Sequence, residues 1–169
     1  MKAKKIALYG LLTALALVLA YLESLVPAFF AVPGMKLGLT NLVVLLALYR
    51  MGNGPAIVLN LLRIVLVSLL FGNLLALLFS LAGGLLSGAV MILLKRSGHF
   101  SMLGVSMAGG VAHNVGQILM AMLVLETWQV VSYLLVLWIS GVAAGLAIGF
   151  LCYEVTRRLP ERLFSGGLK

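Results

Sequence analysis

Apolar residues run through this chain in long blocks, broken at short intervals by turn-forming and charged residues. The blocks cover approximately residues 6–26, 37–49, 56–71, 74–94, 102–125 and 130–153. Each is near or somewhat below the ~20 residues with which a helix crosses a bilayer. The breaks carry turn chemistry. "PAFFAVPGMK" sets two prolines and a glycine around Phe29 and Phe30, which suits an ordered interfacial loop. "RMGNGP" reads as a tight turn and Gly72–Asn73 as another, while Lys95–Arg96 and "ETW" end the fourth and fifth blocks. The second and third blocks are short, and such segments tilt, thin the local bilayer or form a partly re-entrant pair. The pattern predicts an all-α integral membrane protein: one transmembrane domain over residues 1–169, a bundle of about six helices, and a basic tail over residues 154–169.

Composition agrees with the pattern. The chain is 63% hydrophobic and only 9% charged, with a mean hydropathy of +1.21. A soluble domain carries about 25% charged residues. So much apolar side chain cannot hide in one small soluble core, and it must meet lipid. The net charge of +8 invites a nucleic-acid reading. The basic residues, however, sit in short clusters between apolar blocks, which is an orientation signal and not a nucleic-acid footprint.

Counted by turn, Lys2, Lys4, Lys5, Arg50, Lys95, Arg96, Arg157, Arg158, Arg162 and Lys169 fall on one side. Only Lys36 falls on the other, with Glu23 and Glu126. The positive-inside rule then places both termini in the cytoplasm of a multi-pass protein of the cytoplasmic membrane. The apolar run from Ile6 to Leu22 exceeds the roughly 7–15 residues of a signal-peptide core, so it is read as a retained first span. Cys152 is the sole cysteine, which excludes an intrachain disulfide.

Polar residues inside the blocks are the informative ones. At 1.5 Å per residue, His113 lies about 16 Å along the fifth helix from Met102, near mid-membrane. Gly109, His113 and Gln117 share a face of that helix, with Gly110 and Asn114 beside them. Arg63 falls near the middle of the third block, and Asn60 lies one turn closer to the cytoplasm. Thr40 and Asn41 sit near the outer end of the second block, after Lys36. Glu23, Asn73 and Ser80 belong to outer parts of their blocks, and Trp138 to the middle of the sixth.

The inner halves are nearly pure hydrocarbon, so the gradient predicts a cavity that opens outward and is closed inward. An intramembrane arginine must face protein, water or an anion, because lipid exposure at a helix centre costs about 2.5–3.5 kcal/mol. The ligand-binding candidates are therefore Lys36, Asn41, Arg63, His113, Asn114 and Gln117. Glu23, Asn73, Ser80 and Trp138 are secondary. The bland alternatives are a structural pairing of Arg63 with Glu23 or with carbonyls, and interhelical hydrogen bonding by the fifth-helix trio.

Glycines give a second pattern. Gly141, Gly145 and Gly149 recur every four residues, a stripe for close helix packing inside the bundle. Gly10/Ala14 and Ala16/Ala20 repeat that spacing on the first helix, where packing within the bundle and contact with a partner are both open.

Several chemistries are excluded. His99 and His113 are about 21 Å apart along a helix, too far for one metal site. No G-x-x-x-x-G-K-[ST] phosphate loop occurs. The chain has no aspartate, so a Mg²⁺–diphosphate centre lacks its usual ligands. No catalytic residue, metal or cofactor is expected, and the subunit is not itself an enzyme.

"KLGLTNLVVLLALY", "FSLAGGLLSGAVM" and "GVAHNVGQ" resemble the small membrane proteins known as the Gx transporter family or as heptaprenyl diphosphate synthase component I. The similarity covers nearly the whole chain, and "GMKLGLTN" and "AGGVAHNVGQ" are its most specific parts. That family in turn is similar to the substrate-binding S components of energy-coupling factor (ECF) transporters. The resemblance implies six helices with cytoplasmic termini and a small-molecule site near the outer side. "PAFFAVPGMK" is then the lid, and the partners are a shared coupling subunit, contacted by small residues of the first helix, and two ATPases.

The leading expectation is a membrane substrate-binding and transport subunit that takes up a small anionic molecule. The alternative is a non-catalytic membrane component of heptaprenyl diphosphate synthase, partnered by the catalytic subunit, in isoprenoid or quinone synthesis. A standalone channel is disfavoured by the apolar inner halves.

Overall fold

The computed structural model describes residues 2–25, 38–160 and 163–164. Within them the chain forms six α-helices and one 3₁₀ turn. These are α1 (Lys2–Leu25), α2 (Asn41–Arg50), α3 (Asn53–Phe71), α4 (Leu74–Ser97), α5 (Met102–Leu125) and α6 (Leu134–Arg158), the last preceded by the 3₁₀ turn Trp128–Tyr133. Five of the apolar helices are long enough to cross a membrane, and α2 is not. The protein is all-helical and multi-pass, as its hydropathy pattern predicts.

Local chemistry sets the boundaries. The third helix begins at Asn53, earlier than the predicted residue 56, because Pro55 falls in the first turn, where no intrahelical N–H bond is required. The turn before it shrinks to Met51–Gly52, with Gly52 at φ +100°, a conformation open to glycine. The side chain of Asn73 caps α4 by accepting from the N–H of Ala76 at 2.8 Å. Ser101 caps α5 in the same way, accepting from Gly104 at 3.2 Å. The predicted tail also begins later than residue 154: Glu154 to Arg158 are still helical.

Helix ends bearing Arg50, Lys95, Arg96, Arg157 and Arg158 lie together at one end of the bundle. Arg50 donates to the carbonyls of Thr156 and Leu159, and Lys95 donates to the carbonyl of Leu48 at 2.5 Å. These two cations satisfy carbonyls at the C-terminal ends of α6 and α2, where cations are favourable. The main core sits toward this basic end. It is built from Val43–Leu48 of α2, joined by Leu12, Ala16, Leu59, Met91, Ile148 and Cys152.

The rest of the bundle is a slab of α4, α5 and α6 joined through glycines. A methyl group on Gly145 would lie 2.6 Å from Cα of Met107, and one on Gly116 would lie 2.6 Å from the carbonyl oxygen of Ala82. A methyl group on Gly110 would strike the carbonyl of Gly141. The stripe Gly141–Gly145–Gly149 is thus internal packing against α5, the use predicted for it.

Candidate functional site

The second helix is the feature that positions the site. It has ten residues and is therefore about 15 Å long, half of a roughly 30 Å hydrocarbon core. Its C-terminal end meets Lys95 at the basic end of the bundle. Its N-terminal end, at Thr40 and Asn41, consequently starts at mid-depth. Arg63 is ten residues into α3 from Asn53, about 15 Å along the axis, and so reaches the same level.

There the side chains of Thr40, Asn60 and Arg63 are buried. Nη1 of Arg63 donates to Oγ1 of Thr40 at 2.7 Å, and Nη2 donates to Oδ1 of Asn41 at 2.7 Å. Oδ1 of Asn60 accepts from both Nε and Nη2, at 3.0 and 2.9 Å. The amide of Asn60 in turn donates to the carbonyl of Gly84 at 2.9 Å. These contacts occupy four of the directional bonds that the guanidinium fork makes. A carboxylate lies nearby in the fold: Oε1 of Glu23 accepts from the N–H of Gly38 at 2.6 Å, tying the end of α1 to the start of α2. The cluster therefore joins α2, α3 and α4 through neutral oxygens and one cation, at a depth where an unsatisfied charge is costly.

The fifth-helix trio divides between two neighbours. A methyl group on Gly83 would lie 2.7 Å from the carbonyl of His113, 3.0 Å from Cε1 of His113 and 3.0 Å from Cγ of Gln117, so both side chains lie against α4. Asn114 turns to α6, where its amide donates to the carbonyl of Leu137 at 2.5 Å and to Oγ of Ser140 at 3.5 Å. The two adjacent glycines of α4 thus face different neighbours. Gly83 meets His113 and Gln117, and Gly84 meets Ile64 and Asn60. Arg63 and His113 are brought to one level, with α4 packed between their helices.

The remaining predicted residues scatter. Lys36 and the proposed lid lie outside the described residues. Asn73 is exposed and serves as the cap of α4, a local role the sequence expectation did not include. Ser80 is half-buried on α4. Trp138 is 52% exposed and lines an open groove of about 540 Å³ between α4, α5 and α6, along with Val90, Val111, Val115 and Val142. Ala16 and Ala20 point into the chain's own core, whereas Gly10 and Ala14 face outward. Among the described residues no cluster of His, Cys, Asp or Glu suits a metal ion.

Sequence reasoning noted Asn60 and Thr40 but did not include them among the ligand candidates, although they complete the arginine cluster. Thr40, expected near the outer end, instead sits beside Arg63. The signal for Asn60 is its three-residue spacing from Arg63, which puts both on one helix face.

A bundle of long apolar helices with a polar cluster buried among them defines a multi-pass membrane protein. Residues 12–155 match the family described as heptaprenyl diphosphate synthase component I, and the chain belongs to that family. No curated protein and no solved structure matches it.

Proposed function

We propose that this chain is a non-catalytic membrane component of a prenyl diphosphate synthase, working with a separate catalytic subunit in isoprenoid or quinone synthesis. Membership of the component I family over residues 12–155 carries the reading. The carboxylate supply agrees with it: with no aspartate in the chain, Mg²⁺–diphosphate chemistry belongs to the partner. The apolar groove beside Trp138 offers a surface compatible with an isoprenoid tail. The basic end faces the cytoplasm in this reading, in accord with the positive-inside rule, and so faces a soluble partner. The test is affinity purification from native membranes. A prenyl synthase should co-purify, and its activity or product length should change when this chain is removed. Absence of both effects overturns the reading.

A second reading is favoured by one observation, the start of α2 beside Arg63 at mid-depth. Half-helix N-termini near the bilayer centre recur where transporters hold anionic groups. In this reading the chain is an S-component-like subunit that takes up a small anion through Lys36, Asn41 and Arg63, with His113, Asn114 and Gln117 on the far side of α4. Co-purification of a coupling subunit and ATPases, with a small molecule found by mass spectrometry, selects this reading over the first.

A further inference from the structure

After α6 ends at Arg158 the chain turns at Leu159–Pro160, with the N–H of Leu163 donating to the carbonyl of Pro160 at 3.1 Å. Phe164 then returns to the bundle and joins the core, at 8% exposure. The Arg50 guanidinium lies 6.0 Å from the centre of its ring. The same guanidinium donates to the carbonyls of Thr156 and Leu159, so one side chain holds the end of α6, the turn and the returning ring. Beneath them is Cys152, fully buried, with Sγ 3.9 Å from Oγ1 of Thr156 one turn nearer the basic end. Among the described residues, the tail returns to the core through the ring of Phe164, bridged to the end of α6 by Arg50, with Val155 and Leu159 packed beside it. A small contact of this kind opens locally before the fold does.

We infer that Phe164 is a latch. Seated under Arg50, it closes the basic end of the bundle over Cys152, and its withdrawal opens the interior to that side. The inference is independent of which partner the protein serves.

Cys152 is the only thiol in the chain, so the natural protein carries its own reporter. The full-length protein is reacted with N-ethylmaleimide in mild detergent, and the labelling rate is read by mass spectrometry. Wild type should label slowly. Phe164→Ala should label at least tenfold faster, and Phe164→Leu should stay close to wild type because it refills the socket. Ile118→Ala, a buried truncation on α5 outside the core cluster that holds Phe164 and Cys152, should not reproduce the gain. A Phe164→Ala protein that labels at the wild-type rate overturns the latch. An equal gain in Ile118→Ala also overturns it, because the effect is then general loosening. If Phe164→Ala does not fold, Arg50→Gln carries the same comparison: faster labelling supports the latch, and an unchanged rate overturns it.

Discussion

Asn60 accepts two hydrogen bonds from Arg63, one turn further along the same helix, and passes the connection to the Gly84 carbonyl through its own amide. The amide thus spans α3 and α4 while holding the arginine fork toward α2. Neither role suits a shorter or apolar side chain.

Asn60→Ala should therefore destabilise the protein more than a typical polar truncation. It leaves part of a buried guanidinium without its acceptor, a loss that costs about 1–3 kcal/mol, and it removes the tie to the Gly84 carbonyl. Thermal unfolding in detergent checks this, with Ser80→Ala as a near-neutral comparison. Equal melting temperatures for the two variants would remove the hub role of Asn60.

Arg63→Lys keeps the charge and loses the fork. A lysine cannot match the planar set of bonds to Thr40, Asn41 and Asn60. The variant is expected to unfold earlier than wild type and to bind any small-molecule ligand more weakly. Full retention of stability by Arg63→Lys would show that only charge matters at this position.

Two glycine substitutions should act in opposite directions. Gly145→Ala sets a methyl group against the Met107 backbone and is expected to cost about 1–3 kcal/mol, as overpacking does. Gly10→Ala meets nothing within 4 Å and should be neutral or slightly stabilising, since alanine is the better helix former. The check is a pair of melting curves. If Gly10→Ala also preserves partner binding, the outward small residues of α1 are not a close-contact surface.

Asn73→Ala removes a cap and should cost about 1 kcal/mol of stability. Ligand or partner binding should be unaffected. A binding defect without a stability change would instead return Asn73 to the site.

Trp138 should report lipid. In a Trp128→Phe protein it is the sole tryptophan, and its emission should be blue-shifted and quenched by brominated acyl chains in reconstituted bilayers. Quenching by a water-soluble quencher instead would mean that the groove is wet or covered by protein.

Much of the architecture was legible in the sequence, because charge and turn residues punctuate the apolar blocks and lipid permits few alternatives. The brevity of the second block, the packing use of Gly141, Gly145 and Gly149, and the mid-depth level of Arg63 all follow from spacing. The partition of the site did not. Helix periodicity puts Gly109, His113 and Gln117 on one face, but it does not say that α4 stands between that face and Arg63. Two adjacent glycines, Gly83 and Gly84, make this possible by letting a neighbour approach from each side. Ala16 was equally ambiguous, since a small residue facing the core and one facing a partner obey the same spacing. The return of Phe164 was invisible because a tail rich in arginine reads as solvated whether or not one ring folds back.

The joints among α4, α5 and α6 have a mechanical consequence. Where backbone rests on backbone, as at Gly110 and Gly141, there are no rotamers to hop and no side chains to creep past one another. Such a seam is stiff until it parts. In whatever motion this protein makes in the membrane, the three glycine-seamed helices should travel together as a plate.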